Sequence, residues 1–151
     1  MADVSKICAI ACDGAGFKLK CTVSEYLKGL GFEIIDCGTD SEESCDYPDY
    51  AVKCCREIVE KRAGFGILCC GTGVGMSIAA NKVKGIRAAC CSDTFSAKAT
   101  RAHNDANVLC IGERVVGAGL AKELVNAFIS TSFEGGRHQR RINKVMEIEN
   151  Y

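Results

Sequence analysis

The sequence predicts an α/β domain of three layers, in which helices cover both faces of a five-stranded parallel sheet, as in Rossmann-like and flavodoxin-like folds. Two observations support this fold class. Short apolar segments alternate with amphipathic helical segments along the whole chain. Glycine-rich turns join strands to helices, most clearly in residues 66–81, GILCCGTGVGMSIAAN. We expect residues 1–151 to form one domain, because this length suits one substantial core but not two.

The first half of the chain contains two strands and two helices. Gly31 ends the first helix, whose apolar positions include Phe17, Val23, Leu27 and Leu30. A polar loop over 38–49 holds the only proline, Pro48. The predicted strands are 6–12 and 32–37, with a turn at 13–16, and the second helix is 50–61.

The second half repeats this alternation, beginning with the apolar run that ends at Cys70 and a helix that starts at Met76. Strands are predicted at 86–91 and 108–111, and helices at 94–102, 117–130 and 134–151. The last helix is strongly charged, and we expect that it can reach a neighbouring subunit. Its Arg137 and Arg141 are spaced i, i+4, so both can face one anion, although a solvated basic face has the same pattern.

Composition limits the classes of function. Nineteen basic and nineteen acidic residues cancel, so no overall field attracts nucleic acid or an anionic membrane. The N-terminal apolar run is too short for a membrane span and lacks the pattern of a secretion signal, so we expect a cytoplasmic protein. The twelve cysteines are then interpreted as reduced thiols. No CxxC pair occurs, and only His103 and His138 offer imidazole, so we expect no metal site.

The loop after Cys70 is the strongest candidate site. Gly71, Gly73 and Gly75 allow a tight turn, and unpaired backbone N–H groups at the start of the next helix favour an anion. The loop lacks the Lys-Ser/Thr of a P-loop and the GxGxxG spacing of a dinucleotide site. An inert buried thiol beside an ordinary turn is the alternative interpretation.

Ligands of such folds bind beyond the carboxyl ends of the strands. This rule places Asp13, which follows the first strand, next to Cys70. We extend the same expectation to His103 and Asn104, which precede the fifth strand.

Seven segments together resemble the ribose-5-phosphate isomerase B family, which also includes allose-6-phosphate and galactose-6-phosphate isomerases. They are CDGAGF, DYPDYA, CGTGVGMSIAANK, GIRAACCSD, RAHNDANVL, GERVVG and EGGRHQRR, and they cover nearly the whole chain. The resemblance implies interconversion of an aldose phosphate and a ketose phosphate through a cis-enediolate, with no metal or organic cofactor. It also implies a homodimer, in some members a tetramer, whose active sites combine residues of both subunits.

The resemblance also implies a role for each matching residue. Cys70 matches the base that moves hydrogen between two sugar carbons, and His103 matches the acid that opens the furanose ring. The backbone of Gly71, Thr72, Gly73, Val74 and Gly75 matches the anion hole for the enediolate. Thr72 lies inside this loop, where we expect it to help relay a hydroxyl proton. Asp13 and Asn104 match groups that hold sugar oxygens, and Arg114, Arg137 and Arg141 match residues that bind substrate, including its phosphate. Cys69 should point to the opposite face of the sheet and belong to the core.

Position 14 departs from the resemblance, because Gly14 stands where ribose-5-phosphate isomerases of this type commonly have a substrate-binding histidine. Cys70 together with the Arg137-His138-Gln139 tail favours a ribose enzyme, since galactose-6-phosphate isomerase divides these features between two chains. A six-carbon sugar phosphate and a non-catalytic phosphosugar-binding role stay open. A cysteine phosphatase is disfavoured, because its anion loop would end in arginine and GTGVGMS contains none.

Overall fold

A computed structural model describes residues 3–151 and contains five strands and six α-helices. The strands are β1 (Ile7–Cys12), β2 (Glu33–Asp36), β3 (Phe65–Cys70), β4 (Ala88–Cys90) and β5 (Val108–Gly112). The helices are α1 (Phe17–Gly29), α2 (Tyr47–Val59), α3 (Val74–Ala80), α4 (Thr94–Asn104), α5 (Ala118–Ser130) and α6 (Arg137–Glu147). Short 3₁₀ turns lie at Gly14–Gly16 and Ile148–Asn150. The predicted fold class is confirmed.

All four strand pairings are parallel, and the strands follow the order β2-β1-β3-β5-β4. The central strand is β3, whose last residue, Cys70, is in register with Gly112 of β5. The adjacent Cys69 is in register with Cys12 of β1 and Ile111 of β5. The centre of the sheet therefore delivers Cys70 to its carboxyl edge.

Side chains alternate between two cores, one on each face of the sheet. Ile67 and Cys69 of β3 join the core that α1, α4 and α5 cover. Leu68 and Cys70 join the core that α2 and α3 cover. Cys69 and Cys70 thus point to opposite faces, as the period of two in a strand predicts.

Three predicted helix starts differ from the structure by two residues or more. Helix α2 begins at Tyr47 rather than at residue 50, because Pro48 lies in its first turn, where a missing N–H costs nothing. Helix α3 begins at Val74 rather than Met76, so Val74 and Gly75 are helical. Helix α6 begins at Arg137 rather than residue 134, because Gly135 and Gly136 have positive φ values of 68° and 58°, which a right-handed helix excludes.

The longest helices, α1, α2 and α5, have 13 residues each. A bilayer span needs about 20 apolar residues. Within residues 3–151 no helix has the length and apolar character to cross a membrane.

Candidate active site

The Cys70 thiol lies at the start of the glycine loop and is 5% exposed. Its Sγ accepts a hydrogen bond from the backbone N–H of Gly73 over 3.0 Å. Gly73 has a φ of +81°, a left-handed conformation that glycine adopts without strain. This turn directs a backbone N–H at the sulfur, and such a donor stabilises negative charge on its acceptor.

The rest of the loop is lined by polar groups. Thr72 is exposed, and its Oγ1 accepts a hydrogen bond from the N–H of Val74 over 3.2 Å. The Arg114 guanidinium lies over Gly71. A Cβ added to that glycine would be 3.2 Å from Arg114 Nη1. The ring of Tyr47 covers Gly75 in the same way, since a Cβ on Gly75 would lie 2.8 Å from the ring. A cationic side chain and an aromatic ring therefore flank the loop.

Asp13 and Gly14 occupy the same edge, next to the end of β3. The N–H of Asp13 donates to the Cys69 carbonyl over 3.3 Å, and Asp13 Oδ1 accepts from the Gly16 N–H over 3.1 Å. A Cβ on Gly14 would lie 2.2 Å from the carbonyl oxygen of Glu43. Backbone of the loop before α2 thus fills the space that a side chain at position 14 would need.

Burial raises the pKa of several cysteine thiols that pack inside the two cores. Burial raises the pKa of Cys69 and Cys110 well above its ordinary value, and it raises the pKa of Cys12 and Cys55 to about 12. These thiols stay protonated at neutral pH and act as small apolar side chains. Cys70 lies instead at the carboxyl edge of the sheet, where its sulfur accepts a hydrogen bond from a loop N–H.

His103 and Asn104 lie at the opposite edge of the sheet, so the expectation that they join Cys70 within one chain is wrong. Helix α4 connects the parallel strands β4 and β5, and must therefore run antiparallel to them. Its last residues return to the amino edge, where Arg87, just before β4, donates to the Asn104 carbonyl over 3.1 Å. The carboxyl-edge rule applies to residues that follow a strand, and these two precede one.

His103 packs against His138 of α6 at this amino edge. The two imidazole rings stack with centroids 4.5 Å apart and planes inclined by 12°. Glu134 lies beside both, with its Oε2 3.8 Å from His103 Nε2 and its Oε1 3.6 Å from His138 Nε2. Burial lowers the pKa of His138 below its ordinary value, and the neighbouring charges of His103 and Arg137 act in the same direction.

A cleft of about 970 Å³ opens beside the stacked histidines. Its lining includes the polar residues His103, Asn104, His138 and Arg141 and apolar residues of α6 such as Ile142. Arg137 and Arg141 are exposed on α6.

The residues that the sequence predicts for the site form two groups in each chain. Asp13, Gly14, Cys70, Gly71, Thr72, Gly73, Val74, Gly75 and Arg114 lie at the carboxyl edge, and His103, Asn104, Arg137 and Arg141 belong to the amino-edge group.

The distance between the groups decides what one chain can do. Cys70 is level with Gly112, and Asn104 lies beyond Val108, so the intervening length of β5 alone separates them by about 13 Å. A base and an acid that act on neighbouring atoms of one small sugar must each come within hydrogen-bond reach of it. One chain alone does not present both groups to the same substrate.

Sequence reasoning gave no role to Glu134, His138 or Tyr47. Glu134 and His138 are spaced i, i+4, and both lie in the EGGRHQRR segment, but His103 is distant from them in the sequence. Only the fold reveals the contact. Tyr47 lies within the predicted loop 38–49, and its position over Gly75 follows from the earlier start of α2.

The fold and the carboxyl-edge group define a parallel α/β protein with a thiol at the start of a glycine-rich loop. A sequence profile described as Ribose/Galactose Isomerase matches residues 8–145. The chain belongs to this family, which confirms the resemblance seen in its motifs.

Three relatives illustrate the similarity. Ribose-5-phosphate isomerase B of Escherichia coli is 49% identical over 141 residues, covering 93% of this chain and 95% of that protein. D-erythrulose-4-phosphate isomerase of Pectobacterium atrosepticum is 44% identical over 138 residues, covering 91% of each. The crystal structure of a ribose 5-phosphate isomerase from Thermotoga maritima has a TM-score of 0.92 and 55% identity, covering 93% of this chain and 97% of that one.

Proposed function

We propose that this protein is an aldose–ketose isomerase that interconverts ribose 5-phosphate and ribulose 5-phosphate in the non-oxidative pentose phosphate pathway. The observation that carries the proposal is the Cys70 sulfur, held by the Gly73 N–H at the start of a glycine loop on the carboxyl edge. Family membership and the ribose-5-phosphate isomerase relatives support the same substrate.

In the proposed reaction, His103 protonates the ring oxygen as the ring C1–O bond breaks, and the C1 hydroxyl gives up its proton to solvent, so that the furanose opens to the aldehyde. The Cys70 thiolate then removes the proton from C2, and the C1 carbonyl oxygen takes the charge as an enediolate. Backbone N–H groups of the loop stabilise that oxyanion, with about 10²–10³-fold expected from each donor. Thr72 relays a hydroxyl proton, and Cys70 returns its proton to C1, which completes the ketose without net oxidation.

Substrate positioning falls to the polar residues around these two groups. Asp13 and Asn104 hold sugar oxygens in this proposal. Arg114, Arg137 and Arg141 bind the substrate and its phosphate, for which a planar guanidinium supplies paired donors.

A homodimer follows from the placement of the two groups. Because Cys70 and His103 lie at opposite edges of each chain, the proposed reaction needs His103 and Asn104 of a second copy beside the loop. The last segment, about 134–151, then packs near the partner subunit. Two such dimers would form the tetramer known in some members of the family. We also propose a cytoplasmic location, where reduced thiols persist, since all twelve cysteines are free.

The second candidate function is isomerisation of another sugar phosphate. The 44% identical relative named for D-erythrulose 4-phosphate has a different substrate on the same family scaffold. At position 14, backbone near Glu43 replaces the side chain expected of a ribose enzyme, so this part of the site is altered. Allose 6-phosphate and galactose 6-phosphate complete the set of substrates to compare, and a protein that binds them without turnover would be the non-catalytic alternative.

The test is turnover of ribose 5-phosphate by the purified protein with a chelator present, beside Cys70→Ala and Cys69→Ala. We expect unmutated protein and Cys69→Ala to form ribulose 5-phosphate, and Cys70→Ala to lose at least about 100-fold in kcat, as for a positioned base. Cys69→Ala is the matched control, since it removes a neighbouring buried thiol on the other face of the sheet. Equal activity of both variants would contradict the role of Cys70, and turnover only of a four- or six-carbon phosphate would overturn the ribose assignment.

A further inference from the structure

His138 contains an unusual buried atom. The residue is 7% exposed, and its Nε2 is a buried side-chain nitrogen of the described chain without a hydrogen-bond partner. Oε1 of Glu134 is 3.6 Å from this nitrogen, which is too far for a good hydrogen bond. Buried polar atoms nearly always have a partner, so an unpaired nitrogen that faces a carboxylate suggests a site for a ligand.

The three side chains around that atom converge on one point. His103, Glu134 and His138 each offer one ligand atom, and these atoms all lie within 4.8 Å of one another. The stacked rings bring both Nε2 atoms to the same carboxylate. In a tetrahedral site with bonds of about 2.0–2.2 Å, neighbouring ligand atoms are about 3.3 Å apart. The side chains of His103 and Glu134 are both exposed, so they can rotate to bring the ligand atoms to this shorter spacing.

We propose that His103, Glu134 and His138 form a binding site for a divalent transition-metal ion such as Zn²⁺. Two imidazoles and one carboxylate are the ligand types that zinc accepts when it keeps a fourth position open. That position would face the cleft beside the histidines. This inference departs from the sequence expectation of no metal site, which considered ligand spacing along the chain and not contacts in the fold.

The surrounding charges tune the site in two directions. Arg137 and Arg141 lie on the same helix as His138, and their positive charges oppose a bound cation. Glu134 supplies the compensating negative charge, and its carboxylate is the ligand whose removal should weaken binding most cleanly.

Occupancy has a consequence for catalysis that rests on the proposed function. A metal ion on His103 Nε2 occupies the lone pair that would otherwise carry the proton for ring opening. The ion is therefore an inhibitor, and a chelator restores activity. No bond within the protein forms or breaks, and no electron is transferred.

The binding test uses Co²⁺ as a spectroscopic probe with the full-length protein. We expect one tight equivalent per chain, with visible absorption of nitrogen and oxygen ligands and without the near-ultraviolet charge-transfer band of a thiolate. Glu134→Gln and His138→Gln should each weaken Co²⁺ binding at least tenfold, whereas Glu123→Gln, an exposed change on α5, should leave it unchanged. Circular dichroism checks that exposed Glu134→Gln remains folded. Equal affinity of Glu134→Gln and unmutated protein, or a thiolate band alone, would overturn the proposal.

The activity test separates the metal site from the proposed reaction. We expect Zn²⁺ to inhibit isomerisation reversibly, with at least tenfold more Zn²⁺ needed for Glu134→Gln. Unchanged inhibition of this variant would place the inhibitory zinc on a cysteine and overturn the effect on His103. The protein could bind Co²⁺ through Glu134 and His138 as expected and yet turn over no sugar phosphate. That result would support the metal site and reject the proposed function, so failure of one proposal is distinguishable from failure of the other.

Discussion

The N–H of Gly73 donates a hydrogen bond to the Sγ of Cys70 over 3.0 Å. The contact exists because Gly73 has a φ of +81° and so turns its N–H back toward the end of β3. A Cβ at this position would also lie 3.0 Å from Cys90 Sγ and from the Ile111 carbonyl carbon. The orientation of the thiol therefore depends on a glycine in a conformation that other residues rarely adopt.

The first prediction concerns Gly73→Ala. We expect it to lower kcat by at least tenfold and the free energy of unfolding by about 1–2 kcal/mol, because the left-handed conformation is strained for alanine. Gly119→Ala is the control, since Gly119 lies inside α5 and a Cβ there would meet open space. That change should raise stability by about 0.5–1 kcal/mol without affecting kcat. Enzyme kinetics and urea unfolding measure both, and similar kinetics for the two variants would contradict the role of the turn.

Position 14 gives the second prediction. A Cβ on Gly14 would lie 2.2 Å from the Glu43 carbonyl oxygen and 2.6 Å from that of Glu42, and both are backbone atoms that cannot rotate away. We expect Gly14→Ala to destabilise the protein by about 1–3 kcal/mol. Gly14→His should raise KM rather than lower it, since the loop must move to admit the ring. A lower KM for ribose 5-phosphate in Gly14→His would show that the loop yields and that the histidine contact can be restored.

Lys20 anchors the same loop and provides the third prediction. It is 2% exposed, and its Nζ donates to Asp36 Oδ1 over 2.9 Å and to the Thr39 carbonyl over 2.7 Å. Lys20→Met keeps the apolar stem but leaves that carbonyl unpaired, so we expect a loss of about 1–3 kcal/mol. Urea unfolding of Lys18→Met provides the comparison, because Lys18 pairs with Glu42 in an exposed contact worth little. Equal stability of the two variants would refute the anchoring role.

The lowered pKa of His138 gives the fourth prediction. A histidine whose pKa falls on folding contributes stability that is fully present above the ordinary value of 6.5 and is lost as the pH falls through that value toward the folded one. We expect the melting temperature to drop more steeply from pH 8 to pH 5.5 in unmutated protein than in His138→Gln. Burial is the largest cause of the lowered pKa, the charges of His103, Arg137 and Arg141 add to it, and Glu134 opposes it. Parallel pH profiles of the two proteins would contradict this linkage.

The sequence predicted the strands, the fold class and the carboxyl-edge group because these depend on local patterns. Alternation of apolar residues distinguishes Cys69 from Cys70, and glycine spacing marks the loop. The prediction that His103 lies at the carboxyl edge of the sheet was wrong. His103 is in the last turn of α4, and a helix that connects two parallel strands ends at the amino edge. The proximity of His103 to His138 and Glu134 depends on the path of the chain after α5, which no local pattern encodes.

The fifth prediction tests the central claim that two chains share each site. Cys70→Ala and His103→Asn should each be nearly inactive alone, for loss of the base and of the ring-opening acid respectively. After the two variants are mixed, unfolded and refolded together, half of the dimers should carry both kinds of chain. In each mixed dimer one site has an intact Cys70 from one chain and an intact His103 from the other.

The measurement is therefore the turnover of ribose 5-phosphate by the refolded mixture, beside each variant refolded alone. We expect the mixture to recover about a quarter of the activity of refolded unmutated protein, since one site in two works in half of the dimers. Activity of the mixture no higher than the mean of the two variants would contradict the shared site, because it would mean that Cys70 and His103 of the same chain serve one substrate.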